Sequence, residues 1–232
     1  MKASVISGDI IASTHLTLND REIIEKSLRG YFRHLTENYN CYCRLIKGDY
    51  IEIIVPEPSQ GLRIALALKA YIKSIKISKI TLARRDRMVD LYKKHGIRVA
   101  LGYGELTTIN REKGIIDGEA IYLTGRRLSE QSTHGYHERI VVKETLFFDS
   151  NHQELNIHMQ PIISLLDVLL YKATPKQSQV LHYKLMNNSE KDISKKLRVV
   201  QSVINQHSTS VGWNAIESTV EYYEWLLRNM KL

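Results

Sequence analysis

The chain has 232 residues, of which 43% are hydrophobic and 25% are charged. This composition is close to the globular average and excludes a mainly disordered or collagen-like protein. No apolar run approaches the roughly 18 residues of a membrane span, and the first residues do not form a cleavable signal, so we expect a cytoplasmic protein with no membrane partner. With only two cysteines, Cys41 and Cys43, a disulfide framework is excluded.

The net charge of +8 and the pI of about 9.3 indicate an anionic partner such as nucleic acid. Most of this charge is local, because residues 63–98 contain eleven Lys or Arg and only two Asp. We interpret this basic segment as a solvated helical face followed by a polar connection, in preference to a dedicated anion-binding patch.

The first part of the chain alternates between strand and helix patterns. A short buried strand over residues 2–8 is followed by a helix that begins at capping residues near Thr17 and ends near Asn38. Two β-rich segments, 41–47 and 50–56, then flank a glycine and an aspartate and predict a tight hairpin.

The same alternation continues after the hairpin. The pattern predicts an apolar helix over residues 62–72, a strand over 96–106 that breaks at Gly102 and Gly104, a helix over 118–132 and a strand over 140–144. Alternating strands and helices indicate one layered α+β domain.

From Pro161 onward only helix patterns occur. An apolar helix over residues 163–171 precedes a second helix that begins at Pro175 and ends at Asn187. We therefore predict an α+β domain over residues 1–155 and a helical domain over residues 156–232. The alternative is that the charged, Asn-rich stretch 149–156 is a loop inside one domain.

Within the helical domain, residues 189–208 have the spacing of a helix-turn-helix. Ser189 caps a short helix, residues 198–200 form the turn, and a second helix exposes amides and a hydroxyl. We predict that DNA phosphates are held by Lys195, Lys196 and Arg198, and that base edges are contacted by Gln201, Ser202, Asn205 and Gln206.

The segments TPKQSQVLHYKL and LRVVQSVINQH resemble the supporting and recognition helices of LuxR-type regulators and of the promoter-contacting region of sigma factors. The chain departs from that pattern at Arg198, where the turn usually has Gly, and at Val200, where a capping Ser or Thr is usual. The resemblance implies DNA as a partner. The alternative is a three-helix interaction or dimerisation module that does not contact DNA.

In the first domain, Asp9 and Asp49 each follow a glycine at the end of a strand. Carboxylates on adjacent strands can converge on one Mg²⁺ or Mn²⁺ ion together with nucleotide phosphate oxygens. The loop of residues 10–15, which contains Ser13 and Thr14, can present N–H groups to those phosphates. The alternative is that Asp9 and Asp49 are ordinary turn residues that bind no metal.

The segments SGDIIAST, KGDYIEI, IRVALGYGEL and GEAIYLTGRRLSEQS occur in the order of the class III nucleotidyl cyclase domain, which residues 1–145 resemble. The resemblance implies that Asp9, Asp49 and the backbone of Ile10 bind two metal ions. It also implies that Arg126 stabilises the transition state and that two copies of the chain share their sites across a homodimer.

The chain departs from the cyclase pattern at several positions. Tyr122 stands where the family has an Asn, and the residues that select adenine are replaced by Leu45 and by Ile115 or its neighbour. A metal site is therefore a stronger inference than cyclisation. Arg127, beside Arg126, can act as a phosphate clamp, and a solvated helix face is the alternative.

The combination of a GDII start, a GD hairpin and a C-terminal helix-turn-helix also looks like the SatD family of small bacterial proteins over nearly the whole chain. We predict an α+β protein, with a ferredoxin-like, cyclase-type sheet followed by an all-α helix-turn-helix. Its expected function is that of a homodimeric regulator that senses a nucleotide or phosphate ligand and binds DNA. The alternatives are a divergent metal-dependent nucleotidyl cyclase and a non-catalytic adaptor or dimerisation protein.

Overall fold

The computed structural model describes residues 1–77, 87–130 and 144–230. The strands are β1 (Lys2–Ile10), β2 (Tyr42–Ile46), β3 (Tyr50–Val55), β4 (Ile97–Asn110), β5 (Ile115–Gly118) and β6 (Leu146–Ser150). The helices are α1 (Leu18–Tyr39), α2 (Gly61–Ser74), α3 (Arg87–His95), α4 (Glu119–Glu130), α5 (Gln153–Lys172), α6 (Pro175–Leu185), α7 (Glu190–Leu197), α8 (Gln201–Ser210) and α9 (Trp213–Asn229). Within the described residues, no helix is both long and apolar enough to cross a membrane.

The sheet has the strand order β2-β3-β1-β4-β5, and β6 pairs with β4 in parallel. The central strand β1 is antiparallel to both β3 and β4, and β2 is antiparallel to β3. In the chain these elements follow the order β1-α1-β2-β3-α2-β4. In the sheet, β3 lies between β1 and β2, as in the split βαβ arrangement. The predicted α+β, ferredoxin-like sheet is therefore confirmed by the strand order itself.

The local signals that we identified in the sequence define the ends of the first elements. The Thr17 side chain accepts a hydrogen bond from the backbone N–H of Asp20 and caps α1, and Asn40 ends this helix in the left-handed conformation. The hairpin of β2 and β3 forms at its predicted position. These elements follow from short-range chemistry, because capping groups and turn residues act within a few positions of the chain.

Helices cover both faces of the sheet. Residues of β1 alternate between the faces, so Ile6 joins the main hydrophobic core with α1 and α2, whereas Val5 packs with Ala120 of α4. At Gly102 a Cβ atom would lie 2.8 Å from the carbonyl oxygen of Ala120, so only glycine permits α4 to approach this closely. β4 pairs with β1 through both Gly102 and Gly104, so the predicted breaks at these two glycines are wrong.

The C-terminal helices pack on the same core. One hydrophobic cluster contains residues of β1, α2, α6 and α9, and the Tyr223 hydroxyl lies 3.2 Å from the Ser4 Oγ atom. The predicted boundary after residue 155 falls inside α5, which includes Pro161. Tertiary packing stabilises this helix on both sides of Pro161. The residues that it buries recur at helical spacing: Leu155, Met159, Ile163, Leu166 and Leu170. The separate folding of the two domains stays a prediction.

The interpretation of the basic segment as a solvated face is wrong for α2. Lys69 and Lys73 are both buried, and Lys69 donates hydrogen bonds to the carbonyl oxygens of Ile97 (3.0 Å) and Thr145 (3.2 Å). Burial lowers the pKa of Lys69 to about 8, although Asp167 lies close to it and favours its charged form. Residues 78–86 of the basic segment lie outside the described residues, as do residues 140–143 of the predicted strand 140–144.

Candidate functional site

The carboxylate of Asp9 lies at the end of β1 on the face of the sheet that α4 also covers. In the sheet register its neighbours are Tyr50 on β3 and Arg98 on β4. The Arg98 guanidinium donates a hydrogen bond to this carboxylate and forms an ion pair with it. The negative charge of Asp9 is therefore already compensated within the chain.

Asp49 lies in the hairpin turn and is bonded to the loop that follows β1. Its carboxylate accepts a hydrogen bond from the Ser13 hydroxyl at 2.7 Å, and its carbonyl oxygen accepts one from the backbone N–H of Ile10 at 3.1 Å. Lys47 and Gly48 turn the hairpin with positive φ angles of 53° and 84°. Glycine adopts this conformation without strain, which explains its position before Asp49.

A cavity of about 230 Å³ lies between this turn and the loop after β1. The predicted phosphate-binding residues Ser13 and Thr14 line it together with Asp49, so the fold brings these three residues together. Arg21 and Lys47 also line it, and the Arg21 guanidinium donates a hydrogen bond to the Thr14 carbonyl at 2.7 Å. We did not predict these two cations. Lys47 directly precedes the Gly48-Asp49 pair, which is the one signal in the sequence that could have identified it.

The two carboxylates of the predicted metal site have different partners in the structure: Asp9 pairs with Arg98, and Asp49 accepts a hydrogen bond from Ser13. Asp9 is absent from the cavity that Asp49 lines, and residues 1–77, 87–130 and 144–230 contain no group of three or more His, Cys, Asp or Glu side chains that could hold a metal ion. A divalent ion at Asp9 would also have to compete with Arg98. The predicted Mg²⁺ or Mn²⁺ roles of Asp9, Ile10 and Asp49 stay predictions.

The two predicted arginines lie on α4. Arg126 is exposed, whereas the Arg127 guanidinium donates a hydrogen bond to Asp149 at 2.9 Å. Arg127 lines a different cavity, of about 530 Å³, together with Glu144 and residues of α5. Tyr122 is exposed, and a hydrogen bond with Asp117 raises its pKa. Within one chain, therefore, Arg127 does not line the cavity of Ser13, Thr14 and Asp49.

Residues 198–200 join the short helix α7 to α8, and α6 packs against both helices. Val180, Ile193 and Ile204 of the three helices form a small buried cluster. The Ser189 side chain accepts a hydrogen bond from the backbone N–H of Asp192 and caps α7. Arg198 opens the turn in the left-handed conformation, with φ of 54°.

All residues that we predicted to contact DNA are exposed on this unit: Lys195, Lys196, Arg198, Gln201, Ser202, Asn205 and Gln206. Lys196 also has internal partners, since its ammonium group donates a hydrogen bond to the Asn188 side chain and lies 5.3 Å from the centre of the Tyr183 ring. Val200 precedes α8 without a side-chain cap, as the departure from the usual Ser or Thr predicts. The role of this surface in DNA binding stays a prediction.

Comparison with known proteins gives no close relative. No family model and no curated protein matches the sequence. Among solved structures, the guanylyl cyclase Cya2 is similar over 56% of this chain and 70% of its own, with 13% identity and a TM-score of 0.39. Two structures of a bacterial light-regulated adenylyl cyclase, at 14% and 12% identity, cover 63% of this chain and 43% and 74% of their own, each with a TM-score of 0.41.

Proposed function

We propose that the chain binds double-stranded DNA and that α8 enters the major groove. The observation that carries this proposal is the outer face of α8, where Gln201, Ser202, Asn205 and Gln206 are all exposed while Ile204 anchors the helix to α6 and α7. Side-chain amides can donate and accept hydrogen bonds together, as adenine recognition requires, and hydroxyls can contact several bases.

The surroundings of α8 supply contacts for the DNA backbone. Lys195 and Arg198 are exposed at the end of α7 and in the turn, next to the N-terminus of α8. Cations at this position can hold phosphates on both sides of a groove and so fix the register of the recognition helix. Residues 175–211 contain six Lys or Arg and two Asp or Glu, so the unit has a local positive charge.

The experiment is fluorescence anisotropy with genomic DNA fragments at several salt concentrations. We expect Lys195→Ala to lower the slope of log affinity against log salt by about 0.9, because one phosphate contact is lost. Lys26→Ala removes an exposed cation from α1 and is the matched control, with an unchanged slope.

A second variant tests sequence recognition. Asn205→Ala should weaken binding to the preferred fragment by about 1–3 kcal/mol and leave binding to unrelated DNA almost unchanged. Absence of salt-sensitive binding, or equal affinities of wild type, Lys195→Ala and Asn205→Ala, would show that α6, α7 and α8 form an interaction module instead.

The cavity beside Asp49 supports a second part of this function, the sensing of an anionic ligand such as a nucleotide phosphate. Two hydroxyls, from Ser13 and Thr14, and two cations, from Arg21 and Lys47, line it beside the carboxylates of Glu25 and Asp49. Cations and hydroxyl donors suit phosphate oxygens, and the ligand would bind without a metal ion.

Titration calorimetry with ATP, GTP and inorganic phosphate, each with and without Mg²⁺, tests this site. We expect metal-independent binding that Lys47→Ala weakens and Lys26→Ala leaves intact. Cyclic nucleotide formed with Mn²⁺ by the wild type and lost in Asp49→Ala would establish a divergent cyclase in its place.

A further inference from the structure

One face of α5 exposes a row of large apolar side chains. Ile157, Leu165, Val168 and Tyr171 are 65%, 68%, 49% and 46% exposed, although the opposite face of the same helix is buried in the main core. These residues follow one another at intervals of eight, three and three positions, so they share one face of the helix. We call this face the α5 stripe. A contiguous exposed apolar surface of this kind marks an interaction site.

The stripe continues onto α9. The Tyr222 hydroxyl lies 3.2 Å from Nδ1 of His158 on α5, and its ring stacks on Trp225 with centres 6.2 Å apart. Trp225 is itself 56% exposed. Near the middle of the stripe stands the small residue Ser164, which permits close approach of another helix.

Opposite charges stand at the two ends of the stripe. Glu154 lies in the first turn of α5 and Lys172 in the last, and both are exposed. Their separation of 18 residues equals five helical turns, so they lie on the same side of the helix, about 27 Å apart. In the part of the chain that the structure describes, neither has an ion-pair partner.

We propose that a second copy of this chain covers the α5 stripe, with the two α5 helices antiparallel about a two-fold axis near Ile163 and Ser164. Ile163 is midway between Glu154 and Lys172 in the sequence, so this axis places each Glu154 beside the Lys172 of the other copy. In this register the Ile157 side chain of one copy lies next to Val168 of the other, and Leu165 lies level with Pro161. A surface that is complementary to itself in this way is the requirement for a symmetric dimer.

This dimer goes beyond the proposed function, because it depends on neither DNA nor an anionic ligand. No residue of α5 lines the cavity beside Asp49. The larger cavity that Arg127 lines does border the stripe, since Pro161 and Ser164 line it too. A partner copy on the stripe therefore also covers the mouth of that cavity.

The test is analytical ultracentrifugation of the full chain over a wide concentration range, without DNA or nucleotide. We expect a dimer whose Kd rises at least about 30-fold in Leu165→Glu, because a charge replaces a central apolar contact. Leu18→Glu makes the same change at a residue of α1 that is 77% exposed and serves as the matched control, with an unchanged Kd. Circular dichroism verifies that both variants are folded.

Charge exchange tests the antiparallel register. Glu154→Lys and Lys172→Glu should each raise the Kd about 10-fold, because each places like charges together at both ends of the stripe. An equimolar mixture of these two variants should form a heterodimer with the wild-type Kd, since both ion pairs are restored. A monomeric wild type, a dimer insensitive to Leu165→Glu, or a mixture no tighter than its components would each overturn the proposal.

Discussion

Two polar regions of the molecule differ in where their hydrogen-bonding groups find partners. Around Lys69, between α2 and α5, the polar groups have partners inside the protein. Asp167 accepts hydrogen bonds from the backbone N–H (2.6 Å) and the hydroxyl (2.7 Å) of Thr145, and its carboxylate lies 3.5 Å from the Lys69 ammonium. On α8 the amides of Gln201 and Asn205 are exposed.

The comparison separates polar groups that stabilise the fold from polar groups that can bind a ligand. A buried charge has a high desolvation cost and persists only where partners surround it, so the Lys69 cluster contributes to the packing of α5. Exposed amides on an anchored helix contribute little to stability and stay available to a ligand. Asp9 is only partly buried, but it too has a partner within the chain, Arg98.

The largest expected effect is on the buried cluster. Asp167→Ala should lower the free energy of unfolding by about 3–5 kcal/mol, because it leaves the Lys69 charge buried without its carboxylate. Urea denaturation measures this loss, and Glu217→Ala, at an exposed position of α9, is the control, with a change within about 0.5 kcal/mol. A loss below about 1 kcal/mol would mean that the carbonyl groups around Lys69 are sufficient to stabilise its buried ammonium group without Asp167.

A second prediction concerns His182, whose ring packs among tyrosines and whose Nδ1 lies 3.1 Å from the Ala67 carbonyl oxygen. Its pKa is lowered to about 4, chiefly by burial and in smaller part by the nearby His34 and Lys196, although the hydrogen bond with the Ala67 carbonyl favours the protonated form. Below pH 6.5 the unfolded chain binds a proton at this histidine, whereas the folded chain binds one only near pH 4. The contribution of the neutral His182 to stability is therefore fully present above pH 6.5 and is lost as the pH falls towards 4.

We expect His182→Phe to reduce the slope of unfolding free energy against pH in this range by at most about 1.4 kcal/mol per pH unit. Chemical denaturation at a series of pH values measures it, with His15→Asn at an exposed site as the control. An identical slope in His182→Phe and wild type would place the acid sensitivity elsewhere, for example at His95, whose pKa burial also lowers to about 4.

The smallest expected effect is in the turn before α8. Arg198→Gly should raise the free energy of unfolding by about 0.5–1 kcal/mol, because glycine adopts the left-handed conformation without strain. The same variant should weaken DNA binding, since it removes a phosphate-binding cation. Lys195→Gly is the matched comparison: it removes a cation from within α7 and should lower stability by about 1 kcal/mol. A loss of stability in Arg198→Gly would indicate that the arginine side chain stabilises the fold.

Short-range patterns in the sequence predicted much of this structure. Caps and turns defined α1, the hairpin of β2 and β3, and the unit of α7 and α8, because each depends on residues a few positions apart. The candidate cavity was predicted in part. Ser13, Thr14 and Asp49 were expected at one site, but Arg21 and Lys47 join them only through the packing of α1 and the hairpin turn.

By itself, the sequence determined the capped helix α1, the hairpin of β2 and β3, and the pair α7 and α8, since capping, turn chemistry and hydrophobic periodicity act locally. It did not identify α3, β5 or α9. Only the tertiary structure decided which charged side chains are buried or paired within the chain. It buried Lys69 beside Asp167, paired Asp9 with Arg98, extended α5 through Pro161 and left the α5 stripe exposed. The physical reason is that desolvation and pairing depend on residues far apart in the chain, which no local pattern specifies.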